Sequence, residues 1–541
     1  MRKLKSIVCL LLAVLMLMSL AACGGKGNTD DTKPSDNAAA TENKGNDATV
    51  GNGDATDGEG ADATEPTENP YAEPVYLKWM ASDCGGLGRD EVEAEVKRYV
   101  KEKLNIDLEI FWYPAADVAG ILSTELMVGD WDISCVTQGL FKNFGPRNLF
   151  LDLTPYLEKG YLPTAQEIMP EEAWDSTTYN NEILGISAYK DLAENWGLRL
   201  NKTLLDECGL EVPENWGTLM DFVPTMYEWT EVYRETFPND SKRYCVDVSQ
   251  WLAAWFKFED IVGSGNNTLV AANIPQYNDF AGYGEGELFC PYFTDEYAEY
   301  VRTLYKLVQD GIITGHKGSL QTNDWFGDVT CGYIDIEPWM YEDFECVWAP
   351  AGTPVLSTAY LQAHIYTINR SCENPERALA FMEMLFSDEY LCNTLKFGIE
   401  GIDWTNDDGD EVAELIGRNA NLKSPHWYDW YGTRNSSIYA CLISPGASAD
   451  FRDKLLDLNN NAAVSDNLGF IFNQEPVMNE ISACTNAQMR YVMTLASPLN
   501  IEDPDKLVED YRKALKANGI DTILAEAQRQ LDEWRAANGK G

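Results

Sequence analysis

Apolar and polar positions follow two different periods in the first hundred residues after position 70. Tyr76-Leu77-Lys78-Trp79-Met80 reads as a strand, and a glycine-rich turn, Asp83-Cys84-Gly85-Gly86-Leu87-Gly88, follows it. Val92, Val96, Tyr99, Val100 and Leu104 then recur at three- and four-residue spacing, which gathers them on one face of a helix. A second strand over 106–112, a helix over about 117–128 and a third strand over 131–136 complete the series. Strand, helix, strand, helix, strand predicts a parallel sheet. Ligands of such sheets sit beyond the carboxyl ends of the strands, which singles out Ser82, Asp83 and Cys84 at one edge and Thr137, Gln138 and Gly139 at another. The plainer role for each is to cap a helix or satisfy turn backbone. The glycine turn does not fit G-x-G-x-x-G, so no dinucleotide site is expected. At the far end, Leu507, Tyr511 and Leu515 mark one helix, Gly519 breaks it, and Ile523, Leu524, Ala527, Leu531 and Trp534 mark another.

The chain before this has a different character. Met1-Arg2-Lys3-Leu4-Lys5 is basic, and the apolar run over 7–20 is shorter than the about 20 residues a membrane span needs. It stops at Leu20-Ala21-Ala22-Cys23, ahead of Gly24-Gly25. Those four residues resemble the lipobox of bacterial lipoproteins, which implies a signal peptide over 1–22, lipid on Cys23, and membrane attachment facing the extracellular side. Ordinary cleavage beside an incidental cysteine is the alternative. From 24 to 70 there is no aromatic residue, and eleven acidic residues stand against three lysines. Such a segment cannot bury enough apolar surface to offset its ordering entropy, so 23–70 is expected to be a disordered acidic tether.

Residues 71–541 are too long for one typical domain, and two lobes are expected. With 41 basic and 87 acidic residues, the chain repels phosphate backbones and no nucleic-acid partner is expected. Thirteen cysteines include Cys9 in the leader and Cys23, leaving eleven in the folded part. They are scattered, without C-x-x-C, and many lie in apolar stretches, so mostly unpaired core thiols are favoured over a disulfide framework.

Several stretches resemble the extracellular solute-binding lipoproteins of bacterial ABC importers, in the large, family 1-like type associated with carbohydrates. They are Gly129-Asp130-Trp131-Asp132-Ile133, Glu214-Asn215-Trp216-Gly217-Thr218-Leu219, Asn374-Pro375-Glu376-Arg377-Ala378 and Gly469-Phe470-Ile471-Phe472-Asn473-Gln474-Glu475-Pro476-Val477. The resemblance implies an α/β, two-lobed periplasmic-binding-protein-like fold of type II, each lobe a central sheet flanked by helices, with the ligand cleft between them. On that pattern 71–190 and 354–400 form lobe 1, 191–353 and 401–500 form lobe 2, and 501–541 is a C-terminal helical pair. It also implies a monomer that captures a carbohydrate, expected to be an oligosaccharide, and delivers it to the permease subunits in the membrane.

The 16 tryptophans fit that expectation, because sugar rings present apolar faces that stack on indoles. Those beside polar residues are the candidate ligand contacts: Trp325, Trp339, Trp404, Trp427 and Trp430, together with Asp83 and Gln138. Each tryptophan could equally be core. His316, His364 and His426 have no ligand-spaced partners, so no metal and no cofactor is expected. No G-x-S-x-G elbow occurs. Two alternatives stay open: a binding protein for a peptide or other non-sugar solute, and a surface glycoside hydrolase, which needs only two cleft carboxylates.

Overall fold

The strands Val75–Asp83 (β1) and Ile106–Pro114 (β2) run parallel over their whole length, Val75 opposite Ile106 and Asp83 opposite Pro114. The helix that joins them, Arg89–Leu104 (α1), buries Val92, Val96, Val100 and Leu104. It stops at Asn105, whose left-handed φ of 53° is one that asparagine tolerates, with its N–H closing on the Lys101 carbonyl. These elements come from a computed structural model that describes residues 71–540 apart from 84–85, 115–117, 215, 240–243, 248–254, 265–266, 275–281, 285, 314–324, 332–343, 408, 422–424, 429–436 and 496–497.

The chain continues through Val118–Val128 (α2), Ile133–Val136 (β3), Gln138–Phe144 (α3) and Ile186–Ser187 (β4). It then builds a second group: Trp196–Asn201 (β5), Leu219–Thr236 (α4), Tyr244–Asp247 (β6), Phe258–Val262 (β7), Val270–Asn273 (β8), Leu288–Phe289 (β9), Asp295–Gln309 (α5), Trp325–Cys331 (β10) and Cys346–Pro350 (β11). Ile365–Ile368 (β12) returns to the first sheet, followed by Pro375–Ser387 (α6) and Glu389–Phe397 (α7). Met478–Leu495 (α8), Pro504–Ala517 (α9) and Ile520–Ala537 (α10) end the chain. The first sheet has the order β2-β1-β3-β12-β4, with β12 antiparallel to both neighbours. The second group forms the sheets β11-β5-β10-β6 and β9-β8-β7. The predicted parallel arrangement of the first three strands is therefore present.

Two large cores follow from this order. Leu77, Trp79, Val96, Tyr366, Phe381 and Leu385 belong to the first, and Leu198, Phe222, Trp255, Phe289, Tyr297 and Phe326 to the second. The expected boundaries near 190 and 353 fall close to where the chain changes cores, between Ala193 and Trp196 and between Ala351 and Leu356. The third differs. Residues 401–468 had been expected in lobe 2, yet Trp427, Leu455, Leu458 and Leu468 pack into the first core, and the change comes between Leu468 and Phe470. A buried amide explains why 401–428 stays there: Asn419 donates to the carbonyls of Phe397 and Trp427 and accepts from the Trp427 N–H.

The three crossings pair with one another. Glu194 and Val355 exchange backbone hydrogen bonds of 2.7 and 3.1 Å, and Ala463-Val464 runs parallel to Val355-Leu356. The predicted C-terminal helices are present at 504–517 and 520–537, turned at Gly519 with φ 95°. They are part of the second core: Tyr511 stacks on Tyr491 with centroids 4.4 Å apart, and Leu515, Ile523 and Leu531 are fully buried. Leu515→Ala is expected to destabilise the second lobe by about 2–5 kcal/mol. Denaturant unfolding measures this, and a loss below about 1 kcal/mol would make the helical pair an appendage rather than core.

Candidate functional site

The parallel strands β1 and β3 end at Asp83 and Val136, and β12, running the other way, begins at that same edge with Ile365 opposite Val136. β4 places Ser187 opposite Ile365, and the chain leaves this edge through Tyr189 toward the first crossing. In the second group β5 starts beside the crossing at Trp196, and its antiparallel partner β10 ends there at Cys331. The ends of both sheets thus meet the crossing segments.

Gln138 opens α3 at this edge, and its Nε2 is buried without a hydrogen-bond partner among the described residues. The Ser187 Oγ is in the same condition. A buried amide N–H with no acceptor costs free energy that a ligand oxygen would recover. Tyr189, 5 % exposed, stacks on the half-buried Tyr439, with centroids 5.1 Å apart and planes 22° apart. Beside it Asp191, almost wholly buried, accepts from Lys190 at 2.5 Å and from the Tyr360 hydroxyl at 2.9 Å. Burial and this carboxylate together push the Tyr360 hydroxyl well above its ordinary pKa, so it remains a donor.

A second polar group joins the two cores. Lys142, from α3, donates to the carbonyls of Asp260 and Ile261 on β7 at 3.1 and 3.4 Å. Removal from water lowers its pKa, against the attraction of Asp260 and Glu259. Glu259 accepts from the Ser465 hydroxyl at 2.6 Å and the Asn467 amide at 3.3 Å, both on the third crossing. Glu194, on the first crossing, accepts from the Trp196 indole, yet desolvation pushes it up to about 7. Desolvation moves Lys257, held at a left-handed φ of 52°, the other way, to about 8.

The sequence candidates fall into three groups. Gln138 lies at the strand-end edge, and Asp83 closes β1 there, though its side chain is outside the described residues, as is that of Trp325 at the start of β10. Cys23, Trp339 and Trp430 lie outside the described residues altogether. Trp404 and Trp427 are core, which corrects the expectation that they stack on ligand. Trp404 is 4 % exposed and gives its indole N–H to the Gly398 carbonyl, and Trp427 is 0 % exposed and gives its own to Leu395. Trp427 also meets Trp112 edge-on at 5.8 Å. Sequence reasoning missed Lys142 and the Asp191–Tyr360 pair. Lys142 had a signal, a lone lysine in the apolar run Leu140-Phe141-Lys142-Asn143-Phe144; the Asp191–Tyr360 pair, 169 residues apart, had none.

Residues 466–536 match the model of a domain of unknown function, DUF3502. A protein of Streptococcus pneumoniae named carbohydrate ABC transporter substrate-binding protein is 22% identical over 463 residues, covering 82% of this chain and 88% of its own length. Among solved structures, the N-glycan transport solute-binding protein NgtS of S. pneumoniae superposes with a TM-score of 0.69 at 19% identity, over 85% of this chain and 99% of that one. Its complex with Man5GlcNAc gives a TM-score of 0.64. The alginate-binding protein AlgQ2, solved without calcium ion, gives 0.54 at 14% identity, over 85% of this chain and 98% of that one.

The pH dependence of stability reports on the joint. Between the ordinary carboxylate value of 4.5 and about 7, the unfolded chain has released the Glu194 proton and the folded chain has kept it. Stability from this group therefore falls as pH rises through that window and is level above it. Urea unfolding midpoints from pH 4.5 to 7 are expected to show a smaller decline in Glu194→Gln than in the parent, and equal declines would place the proton elsewhere.

Proposed function

We propose that this chain, which has the two-lobed α/β fold of the solute-binding proteins of ABC importers, captures an oligosaccharide outside the cell and hands it to a membrane permease. The observation that carries the reading is the meeting of both sheets' strand ends with the three crossings, where the Gln138 amide, without a partner among the described residues, supplies a hydrogen-bond donor. The carbohydrate class is supported by the relative named as a carbohydrate transporter component and by the fold neighbour solved with Man5GlcNAc. Closure follows if the ligand contacts both lobes, since only a ligand with differential affinity shifts the equilibrium. Asp83, Gln138, Trp325, Trp339 and Trp430 remain the proposed contacts. Lipid on Cys23 and the acidic segment 23–70 would hold a monomeric module away from the membrane.

Thermal unfolding in the presence of a panel of oligosaccharides, glycan fragments and peptides tests this. An oligosaccharide is expected to raise the midpoint and to be recovered intact, and Gln138→Ala is expected to weaken its binding about tenfold without lowering the ligand-free midpoint. Stabilisation by peptides alone would move the chain to another solute class. Cleaved sugar would make it a hydrolase.

A further inference from the structure

Nine cysteines are described and all are unbridged, but two of them are set apart from the rest. Cys392, on α7, and Cys441 form a small buried cluster with Ala440, separate from the main cores. The two side chains lie in contact, and burial together with the neighbourhood of Cys441 raises the Cys392 thiol well above its ordinary pKa. Their backbones are held together independently of sulfur, because the next residue after each is tied to the other: the Leu442 N–H donates to the Asn393 side chain at 2.8 Å. Lys396, one turn further along α7, donates to the Leu442 carbonyl at 3.4 Å. A disulfide requires Cα atoms within about 7 Å, and two buried cysteines in one cluster, with the residues after them tied together, are what such a bridge starts from. Each thiol also donates to a backbone carbonyl, Cys392 to Leu385 and Cys441 to Ser437, both at 3.2 Å, as Cys484 does to Asn518 at 3.4 Å.

We propose that Cys392 and Cys441 are a disulfide-forming pair, oxidised when the chain passes into an oxidising compartment. The oxidant is a disulfide, of a protein or a small thiol compound. One cysteine thiolate attacks a sulfur of that disulfide, forming a mixed disulfide and releasing one thiol. The second thiolate then attacks the cysteine sulfur of the mixed disulfide, the Cys392–Cys441 bond forms, and the second thiol leaves. The pair gives up two electrons and two protons, and the oxidant takes up both. Both cysteines are buried, so exchange takes place before the 437–444 segment docks on α7 or while it is lifted. The bridge would enclose the hairpin that pairs Trp404 with Leu415, and just before Cys441 the Ile438 N–H donates to Tyr189 and Tyr439 stacks on it. The proposal is independent of the ligand reading, because it concerns only the covalent state of the chain.

The experiment is peptide mapping of the full chain recovered from the outside of cells, denatured in acid and alkylated with iodoacetamide before and after reduction. One intramolecular disulfide is expected, joining the peptides that carry Cys392 and Cys441, with a mass two hydrogens lighter than the reduced chain. Alkylation of both without reduction overturns the proposal, and so does a bridge from either to any other cysteine. The oxidised chain is further expected to melt on the order of a few degrees above the reduced chain, a difference lost in both Cys392→Ala and Cys441→Ala. Persistence of the difference in either variant contradicts the assignment.

Discussion

A lysine and a glutamate lie out of water where the two cores meet, and each can stay there only because protein oxygens and donors replace its hydration. Lys142 is met by two β7 carbonyls, and Glu259 by Ser465 and Asn467. This requirement sets what can surround the joint. It forces α3 of the first lobe against β7 of the second, holds the third crossing beside the first two, and keeps an apolar seam from fusing the lobes. The paired crossings 194–196, 351–356 and 463–470 are therefore a polar pivot between two separately packed cores.

The first sheet was readable because β1, α1 and β2 are long and periodic: α1 buries Val92, Val96, Val100 and Leu104, and β2 buries Ile106, Leu108 and Ile110. The third crossing was not. Among the described residues of 401–450 the chain uses two-residue strands and short turns, with no long period to follow before the helix Phe451–Asn460, and it is held to the first core by single buried groups such as Asn419. Trp404 and Trp427 misled for a related reason. Asp403 and His426 beside them suggest exposure, yet Asp403 is itself 0 % exposed, bonded to the Arg418 guanidinium through both carboxylate oxygens. A polar neighbour in sequence reports a turn, not which side of the turn faces water. Gln138 was found by a rule of topology rather than composition, since it follows directly from the end of a parallel strand.

The joint and the edge are physically continuous. Gln138 and Lys142 are one helical turn apart on α3, so the residue with an unfilled hydrogen bond and the residue that reaches across to β7 share a seven-residue rigid element. A ligand held by Gln138, as proposed, would lie next to this joint. Tyr189 and Asp191 likewise lie only a few residues before Glu194. On this account ligand and hinge communicate through short stretches of chain rather than through the lobes' interiors.

Small-angle X-ray scattering of the full chain, with and without a saturating oligosaccharide that stabilises it, is the direct test of capture between two moving lobes. The account predicts a smaller radius of gyration for the same chain when sugar is bound, with the sugar recovered unchanged. An unaltered radius at saturation would contradict closure about this pivot.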